Sequence, residues 1–197
     1  MQKMLKIWMY KGVNQKMNEF SNTTEGSQER EMKMTKEEGI HKVSVEENIE
    51  EMFLLDSKIA KASPYLLPAL ETPSELLDFL TKEHQSDTYI FNGEDGLAGY
   101  LSLVDTSREN ALEVLNIGVD PKFQGKGYGK KMMLFAEEIA KENNRQKMKL
   151  VTTENNPAVK FYESLGYGII GKAGDYYGDG GTGYILLEKN LDVKNGK

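Results

Sequence analysis

The sequence predicts an α+β domain in three layers, with a sheet of about six to seven strands flanked by helices. Three observations predict it. Short strand-like runs bounded by turn residues alternate with segments of helical period, which excludes an all-helical or all-strand chain. The stretch 111–165 reads strand, helix, strand, helix, the pattern of a packed two-sided sheet. The 197 residues, 39% hydrophobic and 28% charged, suffice for one core plus an appendage.

Taken in order, residues 13–39 are polar and poor in core-forming side chains, and six of the ten methionines fall between Met1 and Met34. Residues 1–40 are therefore expected to be a mobile tail. Translation starting at Met32 or Met34 is one explanation of those methionines. A partner-docking segment built on Leu5, Ile7, Trp8 and Met9 is the alternative. The domain proper is expected over 41–192, with a short tail at 193–197. Val43 and Val45 suggest a short strand. Residues 46–60 place Ile49, Met52, Phe53, Asp56 and Ile59 at helical spacing. Three prolines break 63–74 into a loop, and Ser74 is the expected N-cap of a second helix reaching about His84. Residues 88–92 and 97–104 read as strands joined by the turn Gly93-Glu94-Asp95-Gly96. Residues 111–119 form a third long strand. A helix follows over 127–144, with Tyr128, Met132, Phe135 and Ile139 spaced 4, 3, 4. Then come a strand at 148–153, a short helix at 157–165 stopped by Gly166, and two strands around the Gly-rich loop 174–183.

Composition removes several function classes. The net charge of −6 argues against nucleic acid as the main partner, because phosphate binding needs a basic face. There is no cysteine, so there is no disulfide, thiolate metal site or cysteine nucleophile, and a cytoplasmic location is expected. The two histidines, His41 and His84, stand far apart in polar settings. No metal site or histidine-based triad is expected from them. No apolar run approaches the ~20 residues of a membrane span.

The stretch VDPKFQGKGYGKKM carries Gly125, Gly127 and Gly129 at alternate positions. Asp120-Pro121 ends the preceding strand, and the loop enters a helix at its positive end. Free N–H groups there can hold phosphate oxygens, glycine lets the backbone come close, and Lys126 and Lys130 add charge. The P-loop pattern fails, since Gly129-Lys130 is followed by Lys131 and no glycine stands at 124. The dinucleotide pattern fails because Lys130 occupies its last glycine position. What remains is Q-x-x-G-x-G, through Gln124, Gly127 and Gly129.

This pattern resembles the acetyl-CoA loop of the GCN5-related N-acetyltransferase (GNAT) family. A second motif follows in ENNPAVKFYESLGY, which resembles the family's N-x-x-A-x-x-F-Y-x-x-x-G-[FY] through Asn155, Ala158, Phe161, Tyr162, Gly166 and Tyr167. Locally, Asn156 can cap that helix with Pro157 at its first position, and Ala158, Phe161, Tyr162 and Leu165 share one face. The resemblance spans roughly residues 42–191. It implies the acyl-CoA N-acyltransferase fold: a mixed, mostly antiparallel sheet with a splayed parallel pair, here 111–119 and 148–153. It further implies acetyl-CoA as co-substrate, with the backbone of Ile117, Gly118 and Val119 on the pantetheine arm and residues Gln124, Gly125, Lys126, Gly127, Tyr128, Gly129 and Lys130 around the pyrophosphate. Asn155 and Tyr162 are expected near the thioester. Gly118 is expected to be glycine so that no side chain obstructs that thioester. Direct transfer to an amine within a ternary complex is implied, with Tyr162 as the acid for the leaving thiolate and Glu113 as the base, acting through water.

Acceptor specificity in the family comes from the first helices and the last hairpin. Tyr176 and Tyr177 resemble the tyrosine pair of ribosomal-protein and N-terminal-peptide acetyltransferases, although Asp175 and Thr182-Gly183 depart from that segment. Tyr65 is expected to roof the acceptor cleft, and Glu71, Asp175 and Asp179 to attract a cation. The acceptor is expected to be a small amine or a peptide or protein N-terminus. A non-catalytic acetyl-CoA sensor is the competing class. The resemblance also allows a homodimer.

Overall fold

The structure, a computed structural model, describes residues 39–62, 70–93, 96–173 and 183–192. The N-terminal segment 1–38, the acceptor candidates Tyr65, Tyr176 and Tyr177, the acidic residues Asp175 and Asp179, and the tail 193–197 lie outside the described residues.

Seven strands form one sheet in the order β1-β2-β3-β4-β5-β7-β6. They are β1 (Gly39–Val43), β2 (Asp87–Gly93), β3 (Gly96–Thr106), β4 (Ala111–Val119), β5 (Lys147–Thr153), β6 (Gly168–Ala173) and β7 (Tyr184–Asn190). All neighbours are antiparallel except β4 and β5, which run parallel. That single parallel pair follows from the connection: strand, helix and strand in sequence return the chain to the same end of the sheet.

Helices cover both faces, so the central strands lose the alternation that a half-exposed strand shows. Strand β2 is buried without a break from Thr88 to Asn92. Its Tyr89 and Phe91 enter one layer and its Ile90 the other. One layer is closed by α1 (Val45–Ala62) and α2 (Pro73–Asp78), which bring Met52, Leu55, Ile59 and Leu76 against Ile90 and Tyr100. The other is closed by α3 (Tyr128–Glu142) and α4 (Ala158–Ser164), whose Met132, Met133, Ala136, Ala140 and Tyr162 pack on Leu101, Leu103, Leu112 and Val114.

The element ends differ from the sequence reading where a polar side chain intervenes. Strand β1 begins at Gly39, two residues inside the expected tail, and Val45 opens α1 rather than extending a strand. Ser44 explains that switch: its Oγ accepts from the Glu47 N–H at 3.4 Å, satisfying a helix-start donor. The second helix is capped by Thr72, not Ser74. Thr72 Oγ1 accepts from the Glu75 N–H at 3.2 Å, Glu75 Oε2 accepts from the Glu71 N–H at 2.7 Å, and Pro73 stands at the first helical position. This helix then loosens into a π-helical turn, Phe79–Glu83. The stop at Gly166 is as expected: its φ is +90°, and the Tyr167 N–H donates to the Tyr162 carbonyl at 3.1 Å.

One buried ion pair ties the second layer to the sheet. Lys189 Nζ on β7 lies 2.7 Å from both carboxylate oxygens of Glu137 on α3, which is 5% exposed. The Tyr167 hydroxyl donates to the same carboxylate at 3.4 Å. A charge so enclosed is tolerated only while its partner stands. Lys189→Met is therefore expected to lower the unfolding free energy by about 3 kcal/mol, measured by urea titration. Adding Glu137→Leu to that variant is expected to recover most of the loss.

Candidate active site

Strands β4 and β5 stay together for only four register pairs, from Ala111↔Lys147 to Val114↔Leu150. Beyond that point each keeps only its outer neighbour. Strand β4 remains paired with β3 up to Gly99↔Val119, and β5 with β7 up to Thr153↔Tyr184. The two inner edges thus part, leaving a row of peptide groups in each without a strand opposite. Such groups are satisfied by water or by an extended ligand carrying amides.

The parting coincides with a bulge in β4. Ser102 stands opposite Asn116 and Leu103 opposite Val114, so Leu115 is an extra residue on the β4 side. The bulge resets which face each side chain takes. Leu112 and Val114 point to the α3–α4 layer before it, and Ile117 and Val119 do so after it. Asn116 and Gly118 consequently face the α1 layer. A small cavity of about 60 Å³ lies in the gap, walled by Val114–Ile117 of β4, Leu150–Thr153 of β5, Asn156 and Tyr162.

Tyr162 on α4 forms part of the cavity wall, 8% exposed, with its ring beside Phe161 and Tyr167. Burial pushes its phenol up to about 12, so it carries its proton at neutral pH. Glu113 is placed otherwise. It lies in the paired part of β4, opposite Lys149, and is not in the cavity wall. By alternation its side chain takes the face opposite Leu112 and Val114.

Of the two asparagines before α4, Asn155 is exposed and Asn156 is the one in the wall. Asn156 Oδ1 accepts from the Ala158 N–H at 2.9 Å and Nδ2 donates to Thr152 Oγ1 at 2.8 Å, but the N-cap position is held by Pro157, one residue later than the sequence reading placed it. At Gly118 a Cβ would stand 2.5 Å from Ile59 Cδ1 and 3.2 Å from Tyr100 Cε1, so a side chain there would press on α1 and β3.

At the far end of β4 the glycine loop leads into α3. Gln124 Nε2 donates to the Val119 carbonyl at 3.1 Å, closing the loop onto the strand end. Asp120, 5% exposed, accepts from the Lys122 N–H at 2.9 Å and lies 3.6 Å from Lys58 Nζ on α1. Gly125 and Gly127 have φ of +75° and +86°, with open space where a Cβ would stand. No side chain caps α3, whose N-cap is Gly127 itself. The first-turn N–H groups of Tyr128, Gly129 and Lys130 have no intrahelical acceptor, which suits an anion. Lys126 and Lys130 are exposed beside it. Lys131 Nζ lies 5.5 Å from the Tyr128 ring centroid.

Three residues in or beside the wall carry polar chemistry that the sequence did not single out as functional. Tyr100 Oη on β3 donates to Asp56 Oδ1 on α1 at 2.5 Å, and Asn116 Nδ2 donates to Tyr100 Oη at 2.7 Å. Asp56 reads as one of an apolar helical row because it holds a core position. Its carboxyl is pushed up by burial and drawn back by hydrogen bonds from Tyr100 and Asn116. No group of three or more metal-binding side chains occurs among the described residues, and no helix among them is long and apolar enough to cross a membrane.

Comparison with known proteins places this geometry. The model of the acetyltransferase (GNAT) family matches residues 53–167. A streptothricin acetyltransferase of Streptomyces lavendulae is 32% identical over 92 residues, covering 46% of this chain and 49% of that protein. The uncharacterised N-acetyltransferase YvbK of Bacillus subtilis is 32% identical over 111 residues, covering 50% and 71%. Among solved structures, the PaiA N-acetyltransferase of Thermoplasma acidophilum in complex with coenzyme A aligns over 78% of this chain and 98% of its own, with a TM-score of 0.62 at 19% identity. At that identity the likeness is one of fold. The match to the streptothricin acetyltransferase spans about half of that protein's length.

The buried phenols give a pH signature. Burial raises Tyr100, Tyr162 and Tyr167 above the ordinary tyrosine value of about 10, with Asp56 adding to the rise at Tyr100 and Glu137 at Tyr167. Below pH ~10 both folded and unfolded chains hold these protons, and stability does not depend on them. Above it the unfolded chain ionises while the folded one does not, so the unfolded state binds fewer protons and stability falls as pH rises. The melting temperature is expected to be flat from pH 8 to about 9.5 and to fall steeply beyond about 10. Tyr162→Phe is expected to reduce that slope.

Proposed function

Because the chain belongs to the acetyltransferase (GNAT) family, we propose that it transfers the acetyl group of acetyl-CoA to a primary amine, with both substrates bound together. The single observation that carries this reading is the gap between β4 and β5, which opens after Val114↔Leu150 and runs toward the uncapped start of α3. Its parts fit the co-substrate. The inner edge at Ile117, Gly118 and Val119 offers peptide groups to the amides of a pantetheine arm. The loop from Gln124 to Lys130 has the open space and free N–H groups that a pyrophosphate requires. Acetyl-CoA, when bound, supplies the acyl group already activated as a thioester.

The protein side of the chemistry is proton handling and positioning. Tyr162 holds a phenolic proton at neutral pH in the wall of the gap, and is the acid for the departing sulfur. The acceptor must reach the gap as a free amine, since an ordinary primary ammonium titrates near ~10.4. Glu113 stays a candidate for assisting that loss only through water, because it lies below the gap. With no cysteine in the chain, no thiol-based covalent relay stands between donor and acceptor. The acceptor class is a small amine or a peptide amine. The likeness to the streptothricin acetyltransferase supports putting streptothricin among the amines tested.

Thiol release from acetyl-CoA, followed across streptothricin, spermidine, lysine and a peptide with a free N-terminus, tests the reading. Saturable binding of acetyl-CoA without product from any amine would favour a sensor instead. Gly127→Val puts a branched side chain where φ is +86° and is expected to abolish acetyl-CoA binding in calorimetry with circular dichroism unchanged. Tyr162→Phe is expected to lower kcat about 100-fold with the dissociation constant for acetyl-CoA unchanged. An equal loss of both would make Tyr162 a packing residue only.

A further inference from the structure

Among the described residues, Asp56 is a half-buried carboxylate that the chemistry above does not use and that is hydrogen-bonded to Tyr100 behind the gap. It sits on α1 between Met52, Leu55 and Ile59, all of them core residues. Placing an acid there is unfavourable unless its oxygens are bonded. The Tyr100 hydroxyl donates to it at 2.5 Å. Asn116 Nδ2 in turn donates to Tyr100 Oη at 2.7 Å. The three side chains form a hydrogen-bonded relay across α1, β3 and β4.

The relay has a fixed polarity. A carboxylate only accepts, so Tyr100 must donate to it. The Tyr100 proton is thereby committed to Asp56, and the oxygen of Tyr100 can only accept from Asn116. The Asn116 amide nitrogen is thus turned to Tyr100, and its carbonyl oxygen takes the other side of the amide, in a residue that forms part of the wall of the gap. The bulge at Leu115 is what turns Asn116 to the α1 face. The opposite face of the gap is closed by α4, with Tyr162 and Phe161 packed in the apolar layer.

We propose that Asp56, Tyr100 and Asn116 form the subsite for the acceptor's ammonium or amine group: Asn116 Oδ1 accepts its N–H, while Asp56 and Tyr100 are positioning residues that hold the amide in that orientation. This deepens the transferase reading and rests on it for the identity of the site, but not for its test. The relay also predicts a preference for cations, since the Asp56 carboxylate stands behind the amide with Tyr100 between them.

The test uses n-butylamine as a minimal primary amine and full-length protein saturated with coenzyme A. Asn116 side-chain amide signals are followed by ¹⁵N NMR. In the parent protein the titration is expected to shift the Asn116 signal saturably. Asp56→Asn, which replaces an obligate acceptor with a group that can donate, is expected to weaken n-butylamine binding about tenfold or more, with the dissociation constant for coenzyme A changed less than twofold. Asn116→Leu keeps the size of the wall residue and is expected to abolish n-butylamine binding in calorimetry while retaining coenzyme A, which covers the case in which Asp56→Asn does not fold. An Asn116 signal unmoved by n-butylamine, or equal amine affinity in the parent protein and either variant, overturns the proposal. Failure of every amine to release thiol from acetyl-CoA would sink the transferase reading separately, and the titration would still decide the amine subsite.

Discussion

The site depends on two neighbouring parallel strands ceasing to bond to each other while each stays bonded on its other side. A strand that loses one partner normally becomes an edge and frays or recruits another chain. Here neither does, because β3 holds β4 for its whole length and β7 holds β5 for its whole length. The gap is therefore a rigid slot in the interior of a sheet. Its peptide groups are kept apart by the structure around them, so a ligand entering it meets donors and acceptors already in place and need not order them.

The bulge at Leu115 and the parting of the strands belong together. A single inserted residue increases twist and moves the side chains that follow to the other face. Without it, Ile117 and Val119 would leave the layer of α3 and α4, and Asn116 would enter it. With it, the gap has one apolar side carrying Tyr162 and one polar side carrying Asn116. A phenol that holds its proton and an amide are thereby given separate faces of one sheet.

The sequence disclosed the parts of this arrangement that depend on local chemistry. Helical spacing located α3, the helix stop at Gly166 followed from its left-handed backbone, and the glycine loop before α3 was legible as a turn into a helix start with no side-chain cap. What was not legible depends on register. Asn155 and Asn156 are equivalent as letters, and only the fold puts the second in the wall. Glu113 reads as a strand carboxylate near the site, yet the point at which β4 and β5 separate lies just beyond it. Asp56 disappeared into an apolar helical row because its partners, Tyr100 and Asn116, are 44 and 60 positions away in the chain. The Thr72 cap was readable in T-P-S-E, with proline after the cap and glutamate at the third helical position. Ser74 competes with it in sequence, and the hydrogen bonds decide.

The strand order has a bearing on how the molecule comes into being. The far wall of the slot, β5, is anchored by β7, which lies between it and β6 and is made after both. A nascent chain that has emerged only as far as α4 can pair β5 with β4 alone, over four register positions. The slot is thus finished only when the strand at Tyr184–Asn190 clears the ribosome and inserts, so its far wall is the last part of the site to be secured.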